Sequence, residues 1–497
     1  MFSLFDITAK RADLTPDKVA MEELVTGVRV TYAELDARAA RAASLLADEG
    51  IGAGDRVAIL CRNRIEFFEL LFACGKLGAI LVPLNWRMPA NELKPLIEDS
   101  APRLAVCGGE DAATMTEALA GKTGLISLDD GYREWRDAAA RHPGRLAWPA
   151  GETWYLLYTS GTTGLPKAVI QTYGMALVNA LNIGRAVDLR NDDVTLNFLP
   201  LFHTAGINLH TLPTLIAGGR VLVLPGFDAD RMIALLAQNR LDSFFGVPAV
   251  YQQLSLHPDF ETVDLTGVRS WGCGGAPLPD VLIETYARRG VQVCNGMGMT
   301  ETGPTVFLMD PPSAAKKIGS VGKPQLLAAT RIVDTDGNDV PQGETGELWI
   351  SGPGVTPGYW NRPEVTAAAF SPDGWLKSGD LARRDADGYT YIVGRSKDMF
   401  ISGGENVYPA EVENILAEHP AILEAAVIGV ADERWGEVGR AYLLPRPGQT
   451  IPDDASLAVF CRERLAAYKV PKSFAAVSEF PRTAAGKIQK HLIEAPE

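Results

Sequence analysis

Ten consecutive residues, Thr159-Ser160-Gly161-Thr162-Thr163-Gly164-Leu165-Pro166-Lys167-Ala168, follow the apolar run Trp154-Tyr155-Leu156-Leu157-Tyr158. A strand that ends in small hydroxylated residues and glycines leaves backbone N–H groups free to converge on an anion, and the closing lysine adds a mobile positive charge. Polyphosphate is the ligand this chemistry suits best. The loop is not the common P-loop, which needs a glycine five positions before Gly-Lys-Ser/Thr. None of the four Gly-Lys pairs, at Gly75, Gly121, Gly322 and Gly486, has one.

The elements around the loop predict an α/β protein. Thr31 with Glu34 makes a capping box, Leu35, Leu45 and Leu46 give a helical stripe, and Gly50 closes that helix. Residues 56–60 read as a strand, 66–77 as a helix and 79–82 as a second strand. The alternation recurs at 221–224, 232–238 and 244–245, which implies largely parallel sheets with helical cover. The Pro/Gly/Ala-rich stretch 142–151 reads as a connection ahead of the phosphate loop. After the strand 389–393 comes a short polar turn, Gly394-Arg395-Ser396-Lys397-Asp398, and then about 100 residues with their own elements. We therefore expect a large N-terminal domain of packed mixed sheets with helical layers, residues 1–394, and a small mobile α+β domain, residues 395–497.

At 497 residues the chain is too long for one core, and 46% apolar with 22% charged residues describes an ordinary globular protein. A net charge of -14 argues against nucleic acid, because phosphate contacts need a basic surface. No stretch of 18 apolar residues offers a membrane span, and Met1 to Pro16 does not read as an export signal. Six cysteines, at 61, 74, 107, 273, 294 and 461, show no metal-binding spacing and read as reduced thiols of a cytoplasmic protein.

The Ser/Thr/Gly-rich run ending in Pro-Lys resembles the signature of the AMP-forming adenylating enzymes, and the rest of the chain extends the resemblance. Asn295-Gly296-Met297-Gly298-Met299-Thr300-Glu301 resembles the family's motif beside adenine, α-phosphate and acyl group. By that resemblance Thr300 donates to the α-phosphate. Thr159 and Glu301 would hold Mg²⁺, an ion suited to one carboxylate with phosphates and waters. Gly274-Gly275-Ala276-Pro277 resembles the adenine-binding turn. Asp380, in Gly379-Asp380, matches the ribose ligand, and Arg395 would lie beside the ribose or the phosphates. An ionised carboxylate is acceptor-only, as a vicinal diol requires. Lys487, in Pro481-Arg482-Thr483-Ala484-Ala485-Gly486-Lys487, matches the family's adenylation lysine. Lys397 maps onto its hinge, and rotation there would bring residues 401–406, with Gly403, Gly404 and Asn406, to the thiol channel.

What the resemblance implies is ATP- and Mg²⁺-dependent activation of a carboxylic acid, followed by transfer to coenzyme A. No aspartate stands near His203 to hold an amino group, and no carrier domain follows Lys487, so coenzyme A is the expected acceptor. His203 resembles the gate beside the acyl pocket. Gly298, where acetate-specific relatives carry tryptophan, is expected to leave that pocket open, among walls formed by Ala205, Val247, Gly274 and Met299. An apolar monoacid fits, either hydroxycinnamate-type or a medium to long fatty acid. Met297 replaces the aromatic residue that many relatives stack on adenine, and its thioether can cover the ring instead. The expected partners are small molecules, with a homodimer left open. Two other classes remain: a luciferase-like oxygenase and a non-catalytic nucleotide-binding protein.

Overall fold

A computed structural model describes residues 2–159, 166–483 and 488–493. Two large sheets build the body of the molecule. The six-stranded sheet runs in the order Lys167–Thr172, Thr153–Thr159, Ile80–Pro83, Arg56–Leu60, Leu104–Cys107, Gly124–Ser127, parallel except for the first pair. In the nine-stranded sheet, six central strands from Val19–Glu23 to Val293–Met299 are parallel, and the flanking strands are antiparallel. Both sheets read as near-continuous apolar runs, as sheets covered on both faces must. The helices Tyr32–Asp48 and Ile65–Leu77 pack between Val57, Ile59, Leu81 and Val221 in one continuous core.

The local signals hold. Thr31 Oγ1 accepts from the Glu34 N–H while the Glu34 carboxylate accepts from the Thr31 N–H, and the helix runs Tyr32–Asp48. The strand and helix expected from residue 56 onward are Arg56–Leu60 and Ile65–Leu77. One expectation is corrected: the stretch 142–151 is not all connection, because Ala147–Pro149 pairs antiparallel with Ser3–Phe5. Trp148, fully buried against Trp154 and Tyr173, draws that short strand onto the body.

A four-stranded antiparallel sheet, Ala329–Val333, Gly346–Ser351, Leu376–Arg384 and Thr390–Arg395, leads toward the C-terminal region. Beyond the turn at 396–399 a new sheet begins: Phe400–Ser402, Glu405–Val407, Ile422–Asp432, Gly436–Pro445 and Ser473–Ala476. It has its own core of Phe400, Val412, Leu416, Val427, Leu443 and Leu457. A core of that size, separate from the others, marks a domain of its own.

Candidate active site

The ends of the phosphate loop are held by a β-hairpin. Trp154, Tyr155, Leu156 and Leu157 are wholly buried, and Thr159 is the register partner of Lys167 on the returning strand. The Thr159 hydroxyl donates to the Lys167 carbonyl at 3.4 Å. Ser160, Gly161, Thr162, Thr163 and Gly164 lie outside the described residues. The Lys167 ammonium sits 3.9 Å from the centroid of the Tyr359 ring, and the Tyr359 hydroxyl donates to Glu301 Oε1 at 2.9 Å. Burial lowers the Lys167 pKa, and the Glu301 charge opposes that shift. Tyr359 itself is held protonated by burial and then by Glu301. Nothing in the sequence singles out Tyr359 beyond an aromatic pair after a glycine, which reads equally well as core.

Thr300 and Glu301 form the tip between the antiparallel strands Val293–Met299 and Gly303–Leu308. Their backbone is fastened from two sides. The Gln171 side-chain N–H donates to the Thr300 carbonyl at 2.8 Å, and the Thr356 N–H donates to the Glu301 carbonyl at 2.7 Å. Gln171 belongs to the strand that leaves the phosphate loop, so loop and tip are registered to each other. Glu301 is buried, and among the described residues no group of three or more His, Cys, Asp or Glu could cage a metal. One buried carboxylate fits a Mg²⁺ that takes its remaining ligands from phosphate and water.

Asp380 and Arg395 are register partners on adjacent strands, with Arg395 Nε 3.0 Å from Asp380 Oδ1. The buried Asp380 and the half-exposed Arg395 line a cavity of about 310 Å³ together with Gly275, Ala276, Pro277 and residues 295–299. The Gly275–Pro277 turn, the Asp380–Arg395 pair and residues 295–299 therefore meet in one space, while Thr300 and Glu301 line neither cavity. Gly275, at φ +85°, supplies the left-handed bend of the turn. Gly274 does not line the cavity; a Cβ there would stand 2.8 Å from the Gly296 carbonyl oxygen, so its smallness serves the approach of two strands.

A second cavity, of about 750 Å³, adjoins the first along Val247, Ala249, Gln252 and Arg482. Its walls carry Trp86, Tyr158, Phe198, Phe202 and Phe227, with His203 among them. Burial, with Arg87 nearby, pushes the His203 pKa down to about 4, so the ring is neutral at pH 7. Its Nε2 is buried with no partner among the described residues.

Two expectations are corrected here. A Cβ on Gly298 would stand 2.2 Å from the carbonyl carbon of Pro304 and 2.3 Å from its oxygen, so this glycine permits the close hairpin and does not open an acyl channel. Ala205 lines neither cavity, and Gly274 likewise belongs to neither wall. Gly403, Gly404 and Asn406, expected at a thiol channel only after rotation at Lys397, lie on the hairpin Phe400–Ser402/Glu405–Val407 of the small sheet and line neither cavity in the present arrangement. Lys397 is exposed in the turn after Arg395.

What the small domain does bring to the nucleotide cavity is the flanks of the lysine loop. Arg482, Ile488 and Lys490 line the smaller cavity, Thr483 and Gln489 the larger one, and Arg482 pairs with Ile488 in a β-bridge that closes the loop between them. Lys487 itself lies outside the described residues.

Residues 8–360 match the AMP-binding enzyme family, and residues 411–487 match the AMP-binding enzyme C-terminal domain. The chain belongs to the AMP-binding enzymes, in their acyl-CoA synthetase branch. This AMP-binding enzyme is 43% identical to a feruloyl-CoA synthase of Amycolatopsis, over 97% of the chain and 96% of the relative. It is 38% identical to an indoleacetate–CoA ligase of Aromatoleum aromaticum, over 97% and 95%, and 36% identical to a long-chain-fatty-acid–CoA ligase of Mycobacterium tuberculosis, over 97% and 96%. Its fold is that of o-succinylbenzoate CoA synthetase from Bacillus subtilis in complex with the acyl-adenylate intermediate, at a TM-score of 0.91, 32% identity and coverage of 100% and 99%. ATP-bound MatB from Rhodopseudomonas palustris also superposes at 0.91, with 32% identity and coverage of 99% and 98%, whereas apo MatB gives 0.81.

Proposed function

We propose that this enzyme is an AMP-forming carboxylic acid–CoA ligase acting in the cytoplasm on a hydroxycinnamate-type acid. The observation that carries the reading is the convergence of the Gly275–Pro277 turn, residues 295–299, the Asp380–Arg395 pair and Arg482, Ile488 and Lys490 beside the Lys487 loop on one cavity. In the first half-reaction a carboxylate oxygen attacks the α-phosphorus of ATP, the P–O bond to pyrophosphate breaks, and acyl-adenylate forms. Negative charge accumulates at that phosphorus, so preorganised donors and cations are what the site must supply. Lys167 and the backbone of the 160–164 loop hold the β- and γ-phosphates. Thr300 donates to the α-phosphate, and Asp380 accepts from the ribose hydroxyls while Arg395 keeps its carboxylate oriented. Mg²⁺, held by Glu301 and Thr159, would neutralise phosphate charge. Lys487 bridges the carboxylate and the α-phosphate. In the second half-reaction the thiol sulfur of coenzyme A bonds to the acyl carbon, the thiol proton leaves, and the acyl–phosphate bond breaks to release AMP. The two steps need different occupants beside the adenylate, so the domain from 395 onward pivots at Lys397 between them and delivers Gly403, Gly404 and Asn406 to the thiol.

The aromatic wall of the larger cavity and the 43% identity to a feruloyl-CoA synthase favour an aryl acid. The fatty-acid relative at 36% keeps a long-chain acid as the second candidate. His203, neutral and facing that wall, gates the acid. Six free, buried cysteines and the lack, among the described residues, of a helix long and apolar enough to cross a membrane agree with the cytoplasmic assignment. The test is AMP formation dependent on coenzyme A with ferulate, indoleacetate and a long-chain fatty acid, each with and without added oxygen. Ferulate should lead; oxygen consumption or AMP formation with none of the acids would overturn the assignment.

A further inference from the structure

A side-chain hydrogen bond crosses between the two domains at the rim of both cavities. Gln252 lies on the helix Pro248–Ser255, whose other face is set in the core by Val250, Tyr251 and Leu254. The Tyr251 hydroxyl donates to the Gly272 carbonyl at 2.6 Å and its own carbonyl accepts from Tyr286, so the helix is firmly placed. From the outer face the Gln252 side-chain N–H donates to the carbonyl of Leu423, in the small domain, at 3.2 Å.

Leu423 is special within its strand. In the pairing of Ile422–Asp432 with Gly436–Pro445, Ile422 faces Pro445 and Glu424 faces Leu444, so Leu423 is the extra residue of a β-bulge. A bulge leaves its residue out of the ladder, and a carbonyl released that way can accept from outside the sheet. The next residue, Glu424, holds the Arg482 guanidinium through both carboxylate oxygens. Arg482 in turn forms the bridge to Ile488 that closes the loop carrying Lys487, and the Pro481 carbonyl accepts from the Gln489 N–H at 2.8 Å. A continuous set of contacts therefore runs from Gln252 through the bulge to the base of the lysine loop.

We infer that Gln252 is a positioning residue, a latch that holds the small domain in the adenylate-forming arrangement through the bulge at Leu423. Its side-chain N–H is spent on the Leu423 carbonyl at the rim shared by the two cavities. This rests on the ligase reading above, because only a two-step enzyme needs the latch closed in one step and open in the next. A single neutral hydrogen bond suits that role: it biases the arrangement by a modest factor and can be released in each cycle.

The experiment compares Gln252→Met, nearly isosteric but without a donor, with Gln252→Lys, which restores one. With ferulate and ATP, acid-dependent pyrophosphate exchange should fall about threefold to tenfold in Gln252→Met and recover in Gln252→Lys. Thioester release from supplied feruloyl-adenylate and coenzyme A should stay at the wild-type rate. Equal loss in both half-reactions, or no loss in either, would overturn the latch. A second readout is independent of the acid: spin labels at Gln238→Cys and Glu463→Cys, exposed positions in a chain whose native cysteines are buried, report the domain separation. With ATP alone, Gln252→Met should broaden the distribution toward longer distances, and an unchanged distribution would count against the latch. Absence of exchange in the wild type with every acid would instead sink the ligase reading.

Discussion

The Tyr359 hydroxyl donates to Glu301 Oε1 at 2.9 Å, while the Lys167 ammonium stands 3.9 Å from the centroid of the same ring. One aromatic side chain thus spaces the sole carboxylate of the proposed Mg²⁺ site from the lysine that closes the phosphate loop. Contact between the two charges would neutralise both; separated by the ring, each remains available to the triphosphate. Tyr359→Phe keeps the ring and removes the donor to Glu301. The Mg²⁺ concentration for half-maximal pyrophosphate exchange should rise about tenfold to 10²-fold, the scale of one hydrogen bond to a charged group. Tyr359→Leu also removes the cation–π contact and should raise the KM for ATP, which Tyr359→Phe leaves in place. Identical behaviour of the two variants would show that the hydroxyl has no separate part.

On the proposed reading, Lys487→Ala removes a preorganised charge from the first half-reaction alone. Acid-dependent pyrophosphate exchange should fall on the order of 10²-fold, about 3 kcal/mol of transition-state stabilisation. Thioester formation from supplied acyl-adenylate should survive. The contrast with the latch variant is one of size, since a charge at the reacting centre outweighs a hydrogen bond at the domain rim.

Asp280 supplies a pH dependence with a definite sign. It opens the helix Asp280–Arg288 of the large domain, and its pKa is raised to about 6, first by burial, then by Glu418 of the small domain and by Glu284 one turn along its own helix. If the small domain supplies the burial as well as Glu418, separating the domains lowers that pKa toward the ordinary aspartate range. A raised pKa means the closed arrangement favours the protonated form. Closure is therefore easiest below the ordinary range, weakens as pH rises to about 6, and is constant above that. Asp280→Asn should close with no such dependence. The ratio of variant to wild-type pyrophosphate exchange should climb from pH 4.5 to 6 and then level off. His203 adds nothing above pH 5, since its titration lies near 4. A flat ratio would mean that Asp280 is equally buried in both arrangements.

Much of the architecture was legible because its signals are local. The capping box at Thr31 and Glu34 lies within four residues, and the apolar runs at 56–60 and 154–158 needed only their own composition to read as buried strands. The site was legible in its motifs but not in its joints. Gln171 meets Thr300 across 129 residues and Gln252 meets Leu423 across 171, and neither glutamine differs in sequence from a solvated one. The bulge at Leu423 depends on how two strands align, which no single strand encodes. Glycines misled for a related reason: sequence shows that a side chain is missing, not which neighbour occupies its place.

Gly298 is the sharpest case and gives the last test. Were it the open wall of the acyl pocket, a small added side chain would trim the pocket and shift preference toward short acids. The direction in which its Cβ would point says otherwise, because the nearest atoms are the Pro304 carbonyl carbon at 2.2 Å, its oxygen at 2.3 Å and the Gly303 oxygen at 2.7 Å. These are backbone atoms of the paired strand, which cannot swing aside as a side chain can. Gly298→Ala must part the hairpin whose tip carries Thr300 and Glu301. Overpacking of this kind costs about 1–3 kcal/mol. The variant should melt lower, and its kcat/KM should fall in parallel for acetate, ferulate and a long-chain acid, since the α-phosphate contacts are disturbed for all of them. The Mg²⁺ requirement should rise as well, because Glu301 moves with the tip. A variant that melts like the wild type and loses only the bulky acids would return Gly298 to the pocket wall.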